Sequence, residues 1–346
     1  MRDLQELDLY LITSPPHPQP LELPRSLYFS TTMVVLKIGA DIHLNPPLAC
    51  VFPCLRILLL KRVTFANRDS LSAILNACPV LLDLFLDVND NDRENLEEFS
   101  VIVLVATLKR LHLHWKVQPS SEYIFQTYTP ALEYLHFNGY LNGDDVWENL
   151  PNVVESVIQI KDCDSINDYA KGVWYLMGKL YNVVFMELST VTAQILCHGS
   201  NHENNLTFHN LSSLKFCGDI WHEWYAWHAV RLLLFRAPKL QTLLNIRFCV
   251  ALIFIIVTLA WRSHSMFLNV CHHTLTTCLY KGFMGVENKM ELVRQILKAA
   301  RVLKTMKITS HSDLDQRNKP SVRKKLRKFQ RSTRNCQIAF DEGHFT

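Results

Sequence analysis

The sequence predicts an α/β repeat architecture, with short parallel strands stacked side by side and joined by returning helices or loops. Two observations predict it: a recurring apolar pattern and its regular spacing. The pattern is apolar, two residues, apolar, one residue, apolar. It occurs as Leu4/Leu7/Leu9, Met33/Leu36/Ile38, Leu55/Leu58/Leu60 and Leu81/Leu84/Leu86. It continues as Leu108/Leu111/Leu113, Leu132/Leu135/Phe137, Val183/Met186/Leu188 and Leu211/Leu214/Phe216, with a weaker copy near Val157 to Ile160. Most neighbouring copies start 22 to 29 residues apart, which is the period of a leucine-rich repeat.

Each copy is justified physically. Its last two apolar positions alternate as in a strand with one buried face. One unit cannot cover its own apolar edge, so neighbours stack into a curved solenoid. The expected fold is thus a leucine-rich-repeat solenoid, or horseshoe, over residues 1–244. A small C-terminal α+β domain over 273–346 closes it.

Helical pieces are expected between the strands. Over Arg68 to Cys78, Ser70 is placed to cap, and Leu71, Ile74, Leu75 and Cys78 share one face. Trp221 to Phe235 is a second, ending before Ala237-Pro238, with Trp221, Trp224 and Trp227 on a packed face. In the tail, Met290, Val293, Ile296, Leu297 and Ala300 make an amphipathic helix. Strands follow near Leu303 to Ile308 and Cys336 to Phe340.

One segment does not fit. Phe248 to Trp261 is 14 residues long and only Thr258 is polar. As a helix it reaches about 21 Å, short of the roughly 30 Å hydrocarbon core, which disfavours a membrane span. The repeat begun by Leu240/Leu243 needs an apolar residue next and meets Asn245. Residues 245–272 therefore read as an anomalous apolar insert of the kind a retained intron produces. A buried strand or helix is the alternative.

The 346 residues are 49% apolar and 20% charged, with only 10 glycines. This excludes bulk disorder and collagen-like chains. Met1-Arg2-Asp3-Leu4-Gln5-Glu6 has acidic residues where a secretory signal needs an apolar core. None of the ten cysteines forms a Cys-x-x-Cys pair, so reduced thiols in a cytoplasmic or nuclear protein are expected. The net charge of +4 is not evenly spread. Eight basic residues and no acidic one lie between Lys319 and Arg334, leaving 28 basic against 32 acidic elsewhere, a net −4. Arg323, Lys324, Lys325, Arg327 and Lys328 form a candidate nuclear-import or acidic-partner patch. The plainer reading is a solvated helix face over buried Val322, Leu326 and Phe329. Only Phe329 is interleaved there, so nucleic-acid binding is not expected.

Several motifs fail. Asp87, Asn89, Asn91 and Glu98 follow calcium-loop spacing, but Asp92 stands where Gly is needed. Gly172 and Gly178-Lys179 mimic a phosphate loop with the wrong gap, and Leu180 replaces Ser or Thr. The sets Cys197/His198/His202/His209 and His264/Cys271/His272/His273 lack paired close zinc ligands. No catalytic, cofactor-binding or metal-ligating residues are assigned, and the sequence makes no case for an enzyme, a cofactor or a small-molecule substrate.

The chain resembles a known family. Ser26-Leu27-Tyr28 followed by Met33-Val34-Val35-Leu36-Lys37-Ile38 is similar to the opening repeats of plant F-box/leucine-rich-repeat proteins. So are Phe52-Pro53-Cys54-Leu55-Arg56, Ala237-Pro238-Lys239-Leu240-Gln241 and Cys78-Pro79-Val80-Leu81-Leu82-Asp83-Leu84, where Leu82 replaces the usual Glu. The tail from His273 to Glu342 resembles the FBD domain. Its markers are Tyr280-Lys281-Gly282, Ile296-Leu297-Lys298-Ala299-Ala300, Leu303-Lys304 and Cys336-Gln337-Ile338-Ala339-Phe340-Asp341. The resemblance implies a protein-interaction module that recognises the substrate of a Skp–cullin–F-box ubiquitin ligase. The family opens with an F-box, whereas this sequence starts inside the first repeat. A Skp-type adaptor is thus expected only if an F-box is restored upstream. A stand-alone scaffold, or a membrane-associated protein anchored by 248–261, are the other readings.

In a solenoid, a partner meets the residues between and just after the buried strand positions. These are Asp8, Tyr10, Lys37, Lys61, Phe85, Asp87, His112, His114, His136, Asn138, Glu187 and Lys215. His112 and His136 fall in the same slot on adjacent strands, which makes them a candidate pH-sensitive pair.

Overall fold

The computed structural model describes residues 4–10, 21–39, 42–67, 69–89, 99–116, 123–141, 145–161, 166–198, 206–217, 232–246, 273–283, 285–311, 314, 317–333 and 335–341. They form two compact units, residues 1–180 and 181–346.

In the first unit every predicted copy becomes a strand of one parallel sheet. Its order is β1 (Glu6–Tyr10), β3 (Val35–Gly39), β5 (Ile57–Lys61), β7 (Asp83–Asn89), β9 (Arg110–Lys116), β11 (Tyr134–Gly139) and β13 (Glu155–Ile160). The apolar positions line one face. Leu36, Leu58, Leu84, Leu111 and Leu135 are all 3% exposed or less, as are Ile38, Leu60, Leu86, Leu113 and Phe137 one step along. Five of the copies enter their strands through the same turn. The N–H groups of Leu55, Leu81, Leu108, Leu132 and Val153 donate to the carbonyls three residues before. One carbonyl of each repeat then accepts two N–H groups of the next, as Leu82 O does from Lys109 and Arg110.

The returning segments of this unit are mostly strands. β2 (Leu21–Glu22), β4 (Ile42–Leu44) and β6 (Thr64–Phe65) make one short sheet; β8 (Phe99–Leu104), β10 (Tyr123–Tyr128) and β12 (Val146–Trp147) make another. A 3-10 helix spans Arg25–Phe29, and α1 spans Ser70–Asn76. Leu71, Ile74 and Leu75 are buried as expected. Ser70 does not cap, because its hydroxyl bonds Asn67 instead, at 3.1 Å from Oδ1. α2 (Ile166–Lys179) carries both Gly172 and Gly178, so these glycines lie in a helix and not in a phosphate loop. Between the layers Trp115, Phe125, Trp147 and Phe137 pack ring on ring, with centroids 4.7 to 5.7 Å apart.

The weak copy near Val157 is shifted by one residue. Ser156, Ile158 and Ile160 point inward and Val157 outward, and the preceding apolar anchor is Val153. Ser156 holds the slot that Leu holds elsewhere, which hid the register.

The second unit has the parallel order β14 (Phe185–Ser189), β15 (Ser213–Cys217), β16 (Thr242–Ile246), β17 (Thr277–Phe283), β18 (Thr305–Ser310) and β19 (Gln337–Asp341). Among the described residues its helices are α3 (Thr190–His198), a helical segment over 232–236, α4 (Glu287–Ala299) and α5 (Lys319–Arg327). The C-terminal part was expected to be α+β. It alternates strand and helix, and its strands pair in parallel, so it is α/β and follows the repeat rule. Gln241 O accepts from Thr276 and Thr277, and Thr276 O from Lys304 and Thr305. Met290, Val293, Ile296 and Leu297 are buried on α4 as predicted.

The register does not end at Asn245. A bulge between Leu243 and Ile246 sets Ile246, rather than Asn245, opposite Tyr280. A second bulge follows Tyr280, where Gly282 has φ +71°, a backbone region that favours glycine. Phe248 to Trp261, the tryptophans at 221, 224 and 227, and residues 90–98 of the calcium-like loop lie outside the described residues. Among the described residues no helix is long and apolar enough to cross a membrane.

Candidate protein-interaction face

The strand period that buries one face leaves the other pointing outward. Three rows of side chains cross the outward face of the first unit. The middle row is Asp8, Lys37, Leu59, Phe85, His112, His136 and Val157. One step further along the strands lie Tyr10, Gly39, Lys61, Asp87, His114, Asn138 and Gln159. The step before holds Glu6, Val35, Ile57, Asp83, Arg110, Tyr134 and Glu155. Parallel pairing in register lines up residues some 25 positions apart in sequence. Asp87 departs from expectation. It is only 5% exposed, buried between its neighbours in the row.

The rows differ in chemistry from end to end. At the first strand Lys37 lies 3.6 Å from Glu6 and 3.4 Å from Asp8, so the predicted residues Asp8 and Lys37 form an ion pair. Tyr10 folds its ring over Gly39, where a Cβ would stand 2.2 Å from the ring. Further along, Asp83 and Arg110 pair at 2.5 Å, as do Lys109 and Glu133.

Further along the same strands sits a cluster of rings. His136 lies 5.6 Å from His112 and 5.3 Å from His114, both edge-on. Phe85 meets His114 at 4.9 Å and His112 at 5.8 Å, and Tyr134 meets His112 at 4.9 Å. The expected pair is thus a triad of imidazoles between two aromatic rings. Burial holds the His112 pKa below the usual histidine range, and the neighbouring His136 and His114 push the same way. Asp83 opposes them weakly. The neutral ring is favoured, so the cluster is an amphipathic patch at neutral pH.

In the second unit Glu187 and Lys215 stand on adjacent strands and pair at 2.7 Å. Lys307 and Asp341 repeat the arrangement at 3.2 Å. The predicted basic residues Arg323, Lys324, Lys325, Arg327 and Lys328 lie on or just after α5, with Val322 and Leu326 buried beneath. Phe329 is half-buried under the Arg294 guanidinium, 4.8 Å from the ring centre.

Tyr134, Asp83 and Arg110 were not among the predicted face residues. The signal was available, since each stands two residues before a predicted slot and so on the same side of its strand. Among the described residues no group of His, Cys, Asp or Glu could hold a metal ion. Of the zinc-like sets, His202, His264, Cys271 and His272 lie outside those residues. The described cysteines 50, 54, 78, 217, 278 and 336 are free thiols. Burial pushes the Cys78 thiol up to about 12.

Comparison with known proteins agrees with this layout. Residues 1–152 match the family model described as FBD-associated F-box protein At5g56370, LRR repeats. Residues 271–308 match the FBD model. An F-box/FBD/LRR-repeat protein of Arabidopsis thaliana is 26% identical over 98% of this chain and 76% of its own length. An FBD-associated F-box protein of the same plant is 26% identical over 83% of the chain and 62% of its own length. No solved structure matches. The repeat model and the FBD model match in this order along one chain, which over most of its length is similar to F-box/FBD/leucine-rich-repeat proteins of Arabidopsis thaliana.

Proposed function

We propose that this chain recognises a protein target for a ubiquitin ligase of the Skp–cullin–F-box type, with the outward side-chain rows as its contact face. In this reading the repeats build a leucine-rich-repeat horseshoe over 1–244, and 273–346 forms the FBD domain. Other subunits carry out the ubiquitin chemistry, in the cytoplasm or nucleus. A Skp-type adaptor joins only through an F-box placed before the repeats. No small molecule, cofactor, nucleic acid or membrane has a part.

The observation that carries the reading is the ring cluster of Phe85, His112, His114, Tyr134 and His136, with the Asp83–Arg110 and Lys109–Glu133 ion pairs at the entry end of the same strands. Interfaces place aromatic anchors at the centre and charged groups at the rim. Asp8, Tyr10, Lys37, Lys61 and Asn138 extend the face within the first unit, and Glu187 and Lys215 are the candidate contact residues of the second. The names of the relatives support a link to F-box proteins.

A photo-crosslinker placed at Phe85 in the full chain tests it. The target captured there should be lost from a Tyr134→Ala/His136→Ala variant. Its lifetime in cells should fall when the chain carries an upstream F-box. Equal capture by the variant overturns the contact face. An unchanged lifetime turns the reading into a stand-alone scaffold.

A further inference from the structure

We propose that α5 and the edge strand β19 form a second docking groove, separate from the sheet face, for an extended acidic protein segment bearing an apolar side chain. Lys319, Arg323, Lys324, Arg327 and Lys328 recur at three- and four-residue spacing, so they stand on one face of the helix. Together with Phe340 they line a groove of about 500 Å³. Among the described residues β19 ends the sheet of its unit and pairs on one side only, with β18. Phe340 lies opposite Ile308 and is half-buried, whereas Ile308 is fully covered.

The charge is uncompensated. Among the described residues no carboxylate pairs with any of these five cations, and nearby Asp341 is taken by Lys307. The dimensions set the ligand. Nine helical residues extend about 13 Å, the reach of about four extended residues. A short acidic run with one apolar residue for Phe340 therefore fits.

Two competing occupants fit less well. An import receptor that reads the basic run in extended form would have to unwind α5. That would give up the burial of Val322 and Leu326. A long nucleic acid would extend past the groove onto a chain that carries net −4 outside residues 319–334.

The test is fluorescence anisotropy with the full chain and a labelled peptide holding one phenylalanine between glutamates. Binding should saturate and weaken as salt rises from about 50 to 200 mM. Arg323→Glu/Lys324→Glu/Arg327→Glu should bind more than about tenfold more weakly. Arg323→Glu alone should cost more than about threefold, whereas Lys325→Glu, an equal change of charge outside the groove lining, should cost less. Replacing the peptide's phenylalanine by serine should also weaken binding. If the triple reversal does not fold by circular dichroism, the glutamine triple replaces it. The proposal is overturned by absence of saturable binding at low salt, or by an equal loss in Lys325→Glu, which would signal general attraction. It is also overturned if an oligonucleotide of equal charge displaces the peptide.

Discussion

Gly139 lies directly opposite Trp115 on the neighbouring strand, and a Cβ built on Gly139 would stand 1.7 Å from the Trp115 carbonyl oxygen. Trp115 is buried against Phe125, which holds its strand in place, so its backbone carbonyl occupies the volume a side chain at 139 would need. The same carbonyl accepts the N–H of Tyr140, and Gly139 O accepts that of Lys161. β11 cannot draw away from β9 without losing the first of these bonds, nor from β13 without losing the second. Gly139→Ala should therefore cost about 2 kcal/mol or more, read as a lower urea midpoint.

Ser156 presents the opposite case. It is fully buried in the row of Leu111 and Leu135, and its hydroxyl has no partner among the described residues. Removing an unpaired buried hydroxyl relieves its desolvation cost. Ser156→Ala should gain about 1 kcal/mol, seen as a higher urea midpoint at unchanged slope. A loss of stability would show that the hydroxyl is satisfied.

The same residue marks the limit of what the sequence made legible. Inward rows were readable wherever both strand slots were apolar. At the 153–160 copy Ser156 removed one marker, and a slip of one residue reverses every side chain. The face residues between the apolar slots were readable, since strand period two fixes them. Their partners were not. Asp83 and Arg110 are 27 positions apart, and only the repeat's two-for-one carbonyl bonding brings them level. The short second-layer strands carried no alternation of their own and were missed. The bulge that puts Ile246 in the place of Asn245 needed the pairing with Tyr280 to be seen.

The imidazole cluster gives a pH prediction. His112 has a lowered pKa in the folded chain, so the unfolded chain binds its proton first as pH falls. Stability should be full above about pH 6.5 and decline as pH drops through the folded value. The facing groups are Asp83 and Phe85 on β7, Arg110 and His114 on β9, and Tyr134 and His136 on β11. His112→Gln should flatten the urea midpoint between pH 7.5 and 5.5 relative to the unmodified chain. An equally steep decline in the variant assigns the pH dependence to other groups.

The last prediction concerns residues 245–272. β16 and β17 are parallel neighbours, with Thr242 opposite Thr277, and parallel neighbours need a crossover of a dozen residues or more. Thirty residues separate Ile246 from Thr277, against 21 to 26 at the other connections of this unit. Excising 245–272, as removal of a retained intron would, takes two residues from β16 and leaves only 273–276 for the crossover. Four residues span at most about 14 Å, too little to leave the sheet, return to the start of β17 and build a helix or loop layer. A chain lacking 245–272 should therefore fail to unfold cooperatively, whereas one shortened by about six residues keeps a crossover of ordinary length and should remain cooperative. Transcript reads across codons 243 to 273 should run continuously. Spliced reads together with a stable shortened chain would identify the segment as foreign and require β16 and β17 to part.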